Sequence, residues 1–185
     1  GHHPPALDAF DNARKQAADS EHRCVLAQVP NMLGWLYREL YAFERAEQCD
    51  QESVDLAVIY GKGPIEISAR LNLCLDWLAL KRLDDAYTAL QQIEKQIKAG
   101  QFGFHQWRWR LRLLHIWGLY YLQTGHVELA LSKSENLWDL AQELNAKKYK
   151  CLAQQLRGDA LVELTRLNEA TIALKKAVQL AESIS

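Results

Sequence analysis

The sequence has no excess of charge of either sign: 22 lysine and arginine residues oppose 23 aspartate and glutamate residues, for a formal net charge of −1. A balance this close to zero gives no electrostatic reason to expect binding to nucleic acid or to an anionic membrane. The chain also lacks any uncharged run as long as the roughly 18 residues of a membrane-spanning helix. We therefore expect neither a nucleic acid nor a membrane as partner.

Cysteine is scarce and scattered. Cys24, Cys49, Cys74 and Cys151 form no C-x-x-C pair, so their spacing does not predict a zinc site or a disulfide framework. Small core residues in a reducing compartment account for them better. The sequence therefore predicts a cytoplasmic protein with no metal and no cofactor.

Catalytic motifs are also missing. The chain contains neither H-E-x-x-H nor G-x-S-x-G, and no two of its six histidines stand four residues apart. The segment from Gly61 to Pro64 has the glycines and lysine of a phosphate loop, but the full pattern is absent and no strand precedes it. A helix end at Gly61 and a helix start at Pro64 explain it better. We expect no enzyme activity.

What the chain does contain is an internal repeat, marked by two series of small residues at intervals of 40, 44 and 40. Each alanine of the second series follows its partner in the first by twelve residues, which describes a tight antiparallel pair of helices. A fixed period of this size is typical of a solenoid. The two series are Gly34, Cys74, Gly118 and Gly158, and Ala46, Ala86, Ala130 and Ala170.

These residues resemble the tetratricopeptide repeat (TPR), whose pattern runs Trp-x2-Leu-Gly-x2-Tyr and then reaches a conserved alanine. The period of 40 to 44 residues is longer than the usual 34. Repeats of this length resemble those of the sensor arrays in maltose-regulator-type transcription factors and signalling ATPases. Copy four departs from the pattern with Arg157 where leucine is usual. The matching residues are Leu33, Gly34, Tyr37 and Ala46 in copy one, Trp117, Gly118, Tyr121 and Ala130 in copy three, and Gly158, Ala170, Leu174 and Ala177 in copy four.

The resemblance implies an all-α, right-handed, TPR-like α-solenoid of about nine antiparallel helices. Its predicted parts are a half repeat at 4–20 and repeats at 21–62, 63–102, 103–145 and 146–185, together one repeat domain. Because the chain starts within a repeat, we expect a fragment of a longer protein. Pro30 lies in the first helix predicted for repeat one (21–42), so it either kinks that helix or marks a later start.

The run from Trp107 to Arg112 alternates tryptophan or leucine with arginine, a pattern that would suit a single-stranded nucleic acid. At about 100° per residue, however, Arg108, Arg112 and His115 share one helix face while Arg110 points away. The run is therefore not one basic patch. We predict that Trp107 belongs to the core.

In a TPR the first helix of each repeat lines the concave side, so residues of these helices that face away from the core predict a groove. Arginines there would pair with carboxylate or phosphate, and Trp35 would provide an apolar anchor. Packing of the apolar members against adjacent helices is an open alternative. The predicted groove residues are Asn31, Trp35, Arg38, Leu71, Leu75, Arg108, Arg112, His115, Leu119, Gln155 and Asp159.

The predicted function is a non-catalytic protein- or peptide-binding module within a larger regulatory protein. We expect a partly apolar, acidic protein segment as partner, or a small anionic ligand. One alternative is a ligand-sensing domain that regulates an ATPase, a cyclase or a transcription regulator, and another is a structural assembly arm. The broad apolar face of the last helix, from Ala170 to Ile184, predicts weak self-association.

Overall fold

The computed structural model describes residues 3–100 and 106–184, and within them it contains nine α-helices and no strand. The predicted all-α class is confirmed. The helices are α1 (His3–Asp19), α2 (Arg23–Glu39), α3 (Phe43–Ile59), α4 (Gly63–Ala79), α5 (Leu83–Lys98), α6 (Gln106–Gln123), α7 (Val127–Glu143), α8 (Lys147–Glu163) and α9 (Leu167–Glu182).

The helices belong to two compact units, residues 1–102 and residues 103–185. In unit one, each helix from α1 to α5 packs against the next, and α2 also packs against α4. In unit two, α6 to α9 pack consecutively, and α6 also packs against α8. Consecutive helix pairs that stack first helix on first helix are the arrangement of an α-solenoid. Each unit has this arrangement.

The helix ends repeat as regularly as the helices themselves. A residue with positive φ follows each helix from α1 to α8, and after seven of these helices the next amide donates to a carbonyl five residues back, as Ala42 does to Tyr37 at 2.9 Å. This is the Schellman motif, which satisfies the last carbonyls of a helix. The positive-φ residues of these seven turns stand 20 apart within each unit: Glu21, Tyr41, Gly61 and Lys81, then Gly125, Asn145 and Thr165.

These turns correct one predicted boundary and confirm another. The helix predicted for residues 21–42 is shorter, because Glu21 and Tyr41 lie in the left-handed turns on either side of α2. Pro30 lies in the interior of α2 and does not mark its start. The turn residue Gly61 has a φ of 64°, and Pro64 stands in the first turn of α4, as predicted.

The eight small residues of the two series are all buried, as a tight helix pair requires. The helix neighbours of the glycines are not uniform, however. A β-carbon at Gly158 would come 2.5 Å from Leu174 in the paired helix α9, whereas one at Gly118 would meet Leu156 in α8. The absence of a side chain at Gly118 therefore allows close packing of α8, the first helix of the next repeat. The sequence had predicted close packing of α7, the second helix of the same repeat.

The core of unit two explains the tryptophan-rich run. Trp107 packs, partly buried, against the cluster formed by Leu111, Leu137, Ala141 and Ala153, which confirms its predicted place in the core. Trp109 is also buried, with 7% of its surface exposed. On α9 the alanines 170, 173 and 177 are buried, while Ile172 and Val178 remain exposed. Self-association stays a prediction.

Candidate functional site

The first candidate is a basic surface of unit two, formed by the first helices α6 and α8. It consists of Arg108, Arg112 and Lys148 around two neutral polar side chains, His115 and Tyr149, and we call it the cationic face. Arg108 and Lys148 are exposed, and neither forms an ion pair within the described part of the chain. Arg112, His115 and Tyr149 are partly buried.

The electrostatics of the cationic face show how its members are grouped. Burial, followed by the charges of Lys148 and Arg112, lowers the pKa of His115 from 6.5 to about 4. Burial raises the pKa of Tyr149, and the charges of Arg112 and Arg108 oppose that rise. The charged groups that act on these two side chains are thus all cations. At neutral pH both side chains are uncharged hydrogen-bonding groups beside three positive charges.

Helix geometry explains why these residues meet. Residues 108, 112 and 115 follow the i, i+4, i+7 spacing of one helix face, as predicted. Lys148 stands 40 residues after Arg108, at the equivalent position of the next copy. Lys148 was not among the predicted groove residues, although the repeat interval that relates it to Arg108 is visible in the sequence.

The other groove residues predicted in unit two have different surroundings. Leu119 is partly buried on α6, and Gln155 is exposed on α8. Burial alone raises the pKa of Asp159, with no cation acting on it. Asp159 is therefore not a partner of the cationic face.

In unit one the predicted groove residues divide into surface and interior. Trp35 on α2 is 50% exposed, which suits a contact surface. Leu75 on α4 is partly buried. Leu71 has no exposed surface, because it belongs to the core, so it cannot line an open groove. Asn31 and Arg38 are the remaining two, and both are held inside unit one.

Arg38 is the centre of the second candidate, a buried charge cluster that joins α2, α3 and α4. Its Nε donates to Asp76 Oδ1 at 2.7 Å, and its Nη2 donates to Asp50 Oδ2 at 2.7 Å. The arginine side chain is 15% exposed, while both carboxylates are fully buried. Arg38 was predicted as a groove cation, but its charge is already satisfied within the protein.

Two buried amides complete the charge cluster around Asp50. Asn31 donates to Asp50 Oδ1 at 2.9 Å, and Asn72 donates to the same oxygen at 3.1 Å. Asp50 thus accepts three hydrogen bonds. Asp76 Oδ2, by contrast, is buried without a hydrogen-bond partner among the described residues. Asn31 is a structural member of the cluster rather than a groove residue.

The repeat shows that the fold does not require this cluster. Leu90 and Leu174 occupy the position of Asp50 in copies two and four, and Leu78 occupies that of Arg38 in copy two. Leu36 occupies the position of Asp76 in copy one. A group of charges where other copies bury leucine is the pattern expected of a specialised site. Sequence reasoning missed Asp50 and Asp76, although aligning the copies would have marked both.

Comparison with known proteins assigns neither candidate a role. No protein-family model matches the chain, and no curated protein matches it. Within the described residues there is also no group of three or more histidine, cysteine, aspartate or glutamate side chains placed to hold a metal ion. No described helix is long and apolar enough to cross a membrane.

Arg157, which departs from the TPR pattern, lies at a third feature of unit two. It lines a shallow cavity of about 340 Å³ together with Trp138 and Lys176. The ammonium of Lys176 stands 4.2 Å from the Trp138 ring, and Arg157 is 4.0 Å from Glu135. Both cations of this cavity thus face a partner within unit two.

Proposed function

We propose that the chain is a non-catalytic binding module that recognises an acidic, partly apolar segment of a partner protein through the cationic face. The observation that carries the proposal is the grouping of Arg108, Arg112 and Lys148 around the neutral His115 and Tyr149. Arginine pairs with carboxylates through two parallel hydrogen bonds, and a lysine beside it adds a point charge. We also propose that the chain is related to the TPR proteins and that it is located in the cytoplasm.

The neighbourhood of the cationic face favours a peptide over a nucleic acid. Trp109 is buried, and Trp107 packs partly buried against the core with the Arg108 guanidinium 6.0 Å from its ring centroid, so both indoles already have partners within the protein. Leu119, two turns along α6 from Arg112, provides partly exposed apolar surface on the same helix. Carboxylates paired with the arginines and an apolar side chain near Leu119 would use both features.

A small anionic ligand remains the second candidate, which would suit a sensor domain of a larger regulatory protein. The partly buried His115 and Tyr149 favour it, because they add hydrogen-bonding groups beneath the cations. A short anion would contact these two groups and the cations only. A peptide would also reach beyond them along the helices.

The experiment measures fluorescence anisotropy of a labelled octapeptide of alternating glutamate and leucine. Arg108→Ala, Arg112→Ala and Lys148→Ala should each weaken binding about fivefold, since a hydrogen bond to a charged group contributes about 1 kcal/mol or more. Arg110→Ala is the matched control, because Arg110 is exposed on the same helix and acts on neither His115 nor Tyr149. Equal loss in all four variants, or no binding by the wild-type protein, would contradict the proposal.

Two further arms separate the alternatives. Inorganic phosphate that displaces the peptide at low concentration would favour the small-anion candidate, whereas displacement only at concentrations that screen charge would favour the peptide. Trp35→Ala, made in unit one, tests whether Trp35 takes part in binding.

A further inference from the structure

The carboxyl groups of Asp50 and Asp76 cannot both be neutralised by Arg38 if both are ionised. The two groups lie within hydrogen-bonding reach of each other and share one arginine. Two ionised carboxylates and one guanidinium would leave a net negative charge in a site from which water is excluded. An uncompensated buried charge is unfavourable, and a protein commonly removes it by binding a proton.

We propose that Asp50 and Asp76 share one proton in weakly acidic solution, carried on Asp76 Oδ2, which makes the charge cluster a proton-dependent clamp between α2, α3 and α4. The hydrogen bonds assign the proton to Asp76. Asp50 accepts three N–H donors, from Asn31, Asn72 and Arg38, and these bonds stabilise its ionised form. Asp76 accepts one, from Arg38, so the proton is bound more favourably on Asp76.

Asp76, unlike Asp50, has a buried oxygen that lacks a hydrogen bond. Its Oδ1 accepts from Arg38, and its Oδ2 is the buried oxygen without a hydrogen-bond partner. A proton on Oδ2 supplies the missing bond, because the hydroxyl donates to the neighbouring Asp50 carboxylate. The cluster then has one negative charge, one positive charge and no unused buried oxygen.

The other charges near the cluster keep the proton in place. Glu47 on α3 acts on Asp76 and raises its pKa, after the larger effects of burial, which raises it, and of Arg38 and the hydrogen bond with Asp50, which lower it. Arg82, which precedes α5, is engaged by Glu47 and Asp85. Burial raises the pKa of Cys49 to about 11, so its thiol is neutral across the physiological range. On the far side of α3, Glu52 pairs with Arg14 of α1.

The pH range follows from the direction of the shifts. Burial raises the pKa of both carboxyl groups, that of Asp50 from 3.8 to about 7, and because the two groups share one proton this shift belongs to the pair. The folded state therefore holds a proton that the unfolded state releases near pH 4. Its contribution to stability is complete below that pH and is lost as the pH rises through 7. Above pH 7 the clamp has lost its proton.

The test compares wild-type protein with Asp76→Asn, whose neutral amide can donate to Asp50 as the protonated acid does. Between pH 5 and 6, the ratio of the two folding constants should shift about tenfold in favour of the variant, and by less per pH unit as the pH approaches 7. Asp50→Asn should be less stable than Asp76→Asn throughout, since its amide would oppose the N–H donors. Parallel pH profiles for wild type and Asp76→Asn would overturn the proposal.

An infrared measurement keeps the test independent of variant stability. At pH 6 the wild-type spectrum should contain the C=O band of one buried protonated carboxylic acid, which shifts on exchange into heavy water. The band should be absent from Asp76→Asn. A wild-type spectrum without a protonated carboxyl band would contradict the shared proton, and a band that persists in Asp76→Asn would contradict its assignment to Asp76.

Discussion

Gly34 and Asp50 pack so tightly that a β-carbon on residue 34 would lie 2.6 Å from Cγ of Asp50. Gly158 and Leu174 have the same relationship 124 residues later, with 2.5 Å between the equivalent atoms. The fold thus provides one pocket in both copies, which leucine fills in one and a buried carboxylate in the other. The carboxylate can occupy it because Arg38, Asn31 and Asn72 satisfy its oxygens.

This contact predicts that Gly34→Ala and Gly118→Ala differ in stability. The carboxylate of Asp50 is held by three hydrogen bonds and cannot move aside, so Gly34→Ala should lower the free energy of unfolding by about 2 kcal/mol. At Gly118 the close neighbour is the apolar side chain of Leu156, which no hydrogen bond holds in place, and alanine gains about 1 kcal/mol of helix propensity. Urea denaturation would measure both. Equal effects would contradict the rigid packing of Asp50.

The charge cluster predicts a strong contrast between single and combined substitutions. Arg38→Leu leaves two buried carboxylates without their cation and should cost about 3 to 5 kcal/mol, measured by chemical denaturation. Replacing all five cluster residues with leucine removes every buried polar group together and should give a protein about as stable as wild type, or more stable. Each of these five positions has leucine at the equivalent position of another copy. The pairs are Asn31 and Leu71, Arg38 and Leu78, Asp50 and Leu90, Asn72 and Leu156, and Asp76 and Leu36.

The combined variant also separates stability from function. If it is as stable as wild type, the cluster has been retained for a reason other than stability, in agreement with a proton-dependent role. A combined variant far less stable than Arg38→Leu would show that the cluster is a structural requirement of unit one.

The turns predict a stabilising substitution at Thr165. Its φ of 57° places a β-branched residue in the left-handed region, which costs about 1 to 2 kcal/mol relative to glycine. Thr165→Gly should therefore raise the free energy of unfolding by about 1 kcal/mol. The reciprocal control is Gly125→Ala, at the same turn position in unit two, which should lower it by a similar amount. Destabilisation by Thr165→Gly would argue against the Schellman turn.

His115 predicts a pH dependence opposite in sign to that of the charge cluster. Its folded pKa of about 4 is below the ordinary 6.5, so the unfolded state binds the proton first as the pH falls. The stability that neutral His115 contributes is complete above pH 6.5 and is lost towards pH 4. Unfolding measured across this range should become less pH-dependent in His115→Gln. NMR titration of the imidazole would test the pKa itself, and a value at or above 6.5 would refute the grouping of His115 with Lys148 and Arg112.

The fold could be predicted from the sequence because small residues at a fixed interval are visible in it. Gly158 and Ala170 mark a tight helix pair even though other positions of copy four depart from the pattern. The turn at Gly61 could be predicted because a glycine there is followed by Pro64 at the start of the next helix. Helix boundaries were less accurate at Glu21 and Tyr41, because side chains that do not favour positive φ occupy those turns.

The candidate sites were only partly predictable. Arg108, Arg112 and His115 share a face through local helix geometry, which the sequence contains. The burial of Arg38 could not be predicted from its own helix, because it depends on contacts with Asp50 and Asp76, which belong to two other helices. Helical periodicity shows which way a side chain points but not what lies there, so an arginine predicted to face a groove was found in a buried cluster.

The most direct test of the proposed binding function is an NMR titration of isotope-labelled protein with the alternating glutamate and leucine octapeptide. The account predicts saturable changes in the amide shifts of α6 around residues 108–119 and of α8 around residues 147–152, with small changes along α7 and α9. The same titration of Arg112→Ala should show these changes only at higher peptide concentration, while Arg110→Ala should match wild type. Changes concentrated on α7 and α9, or equal responses from the two variants, would contradict recognition of acidic segments by the cationic face.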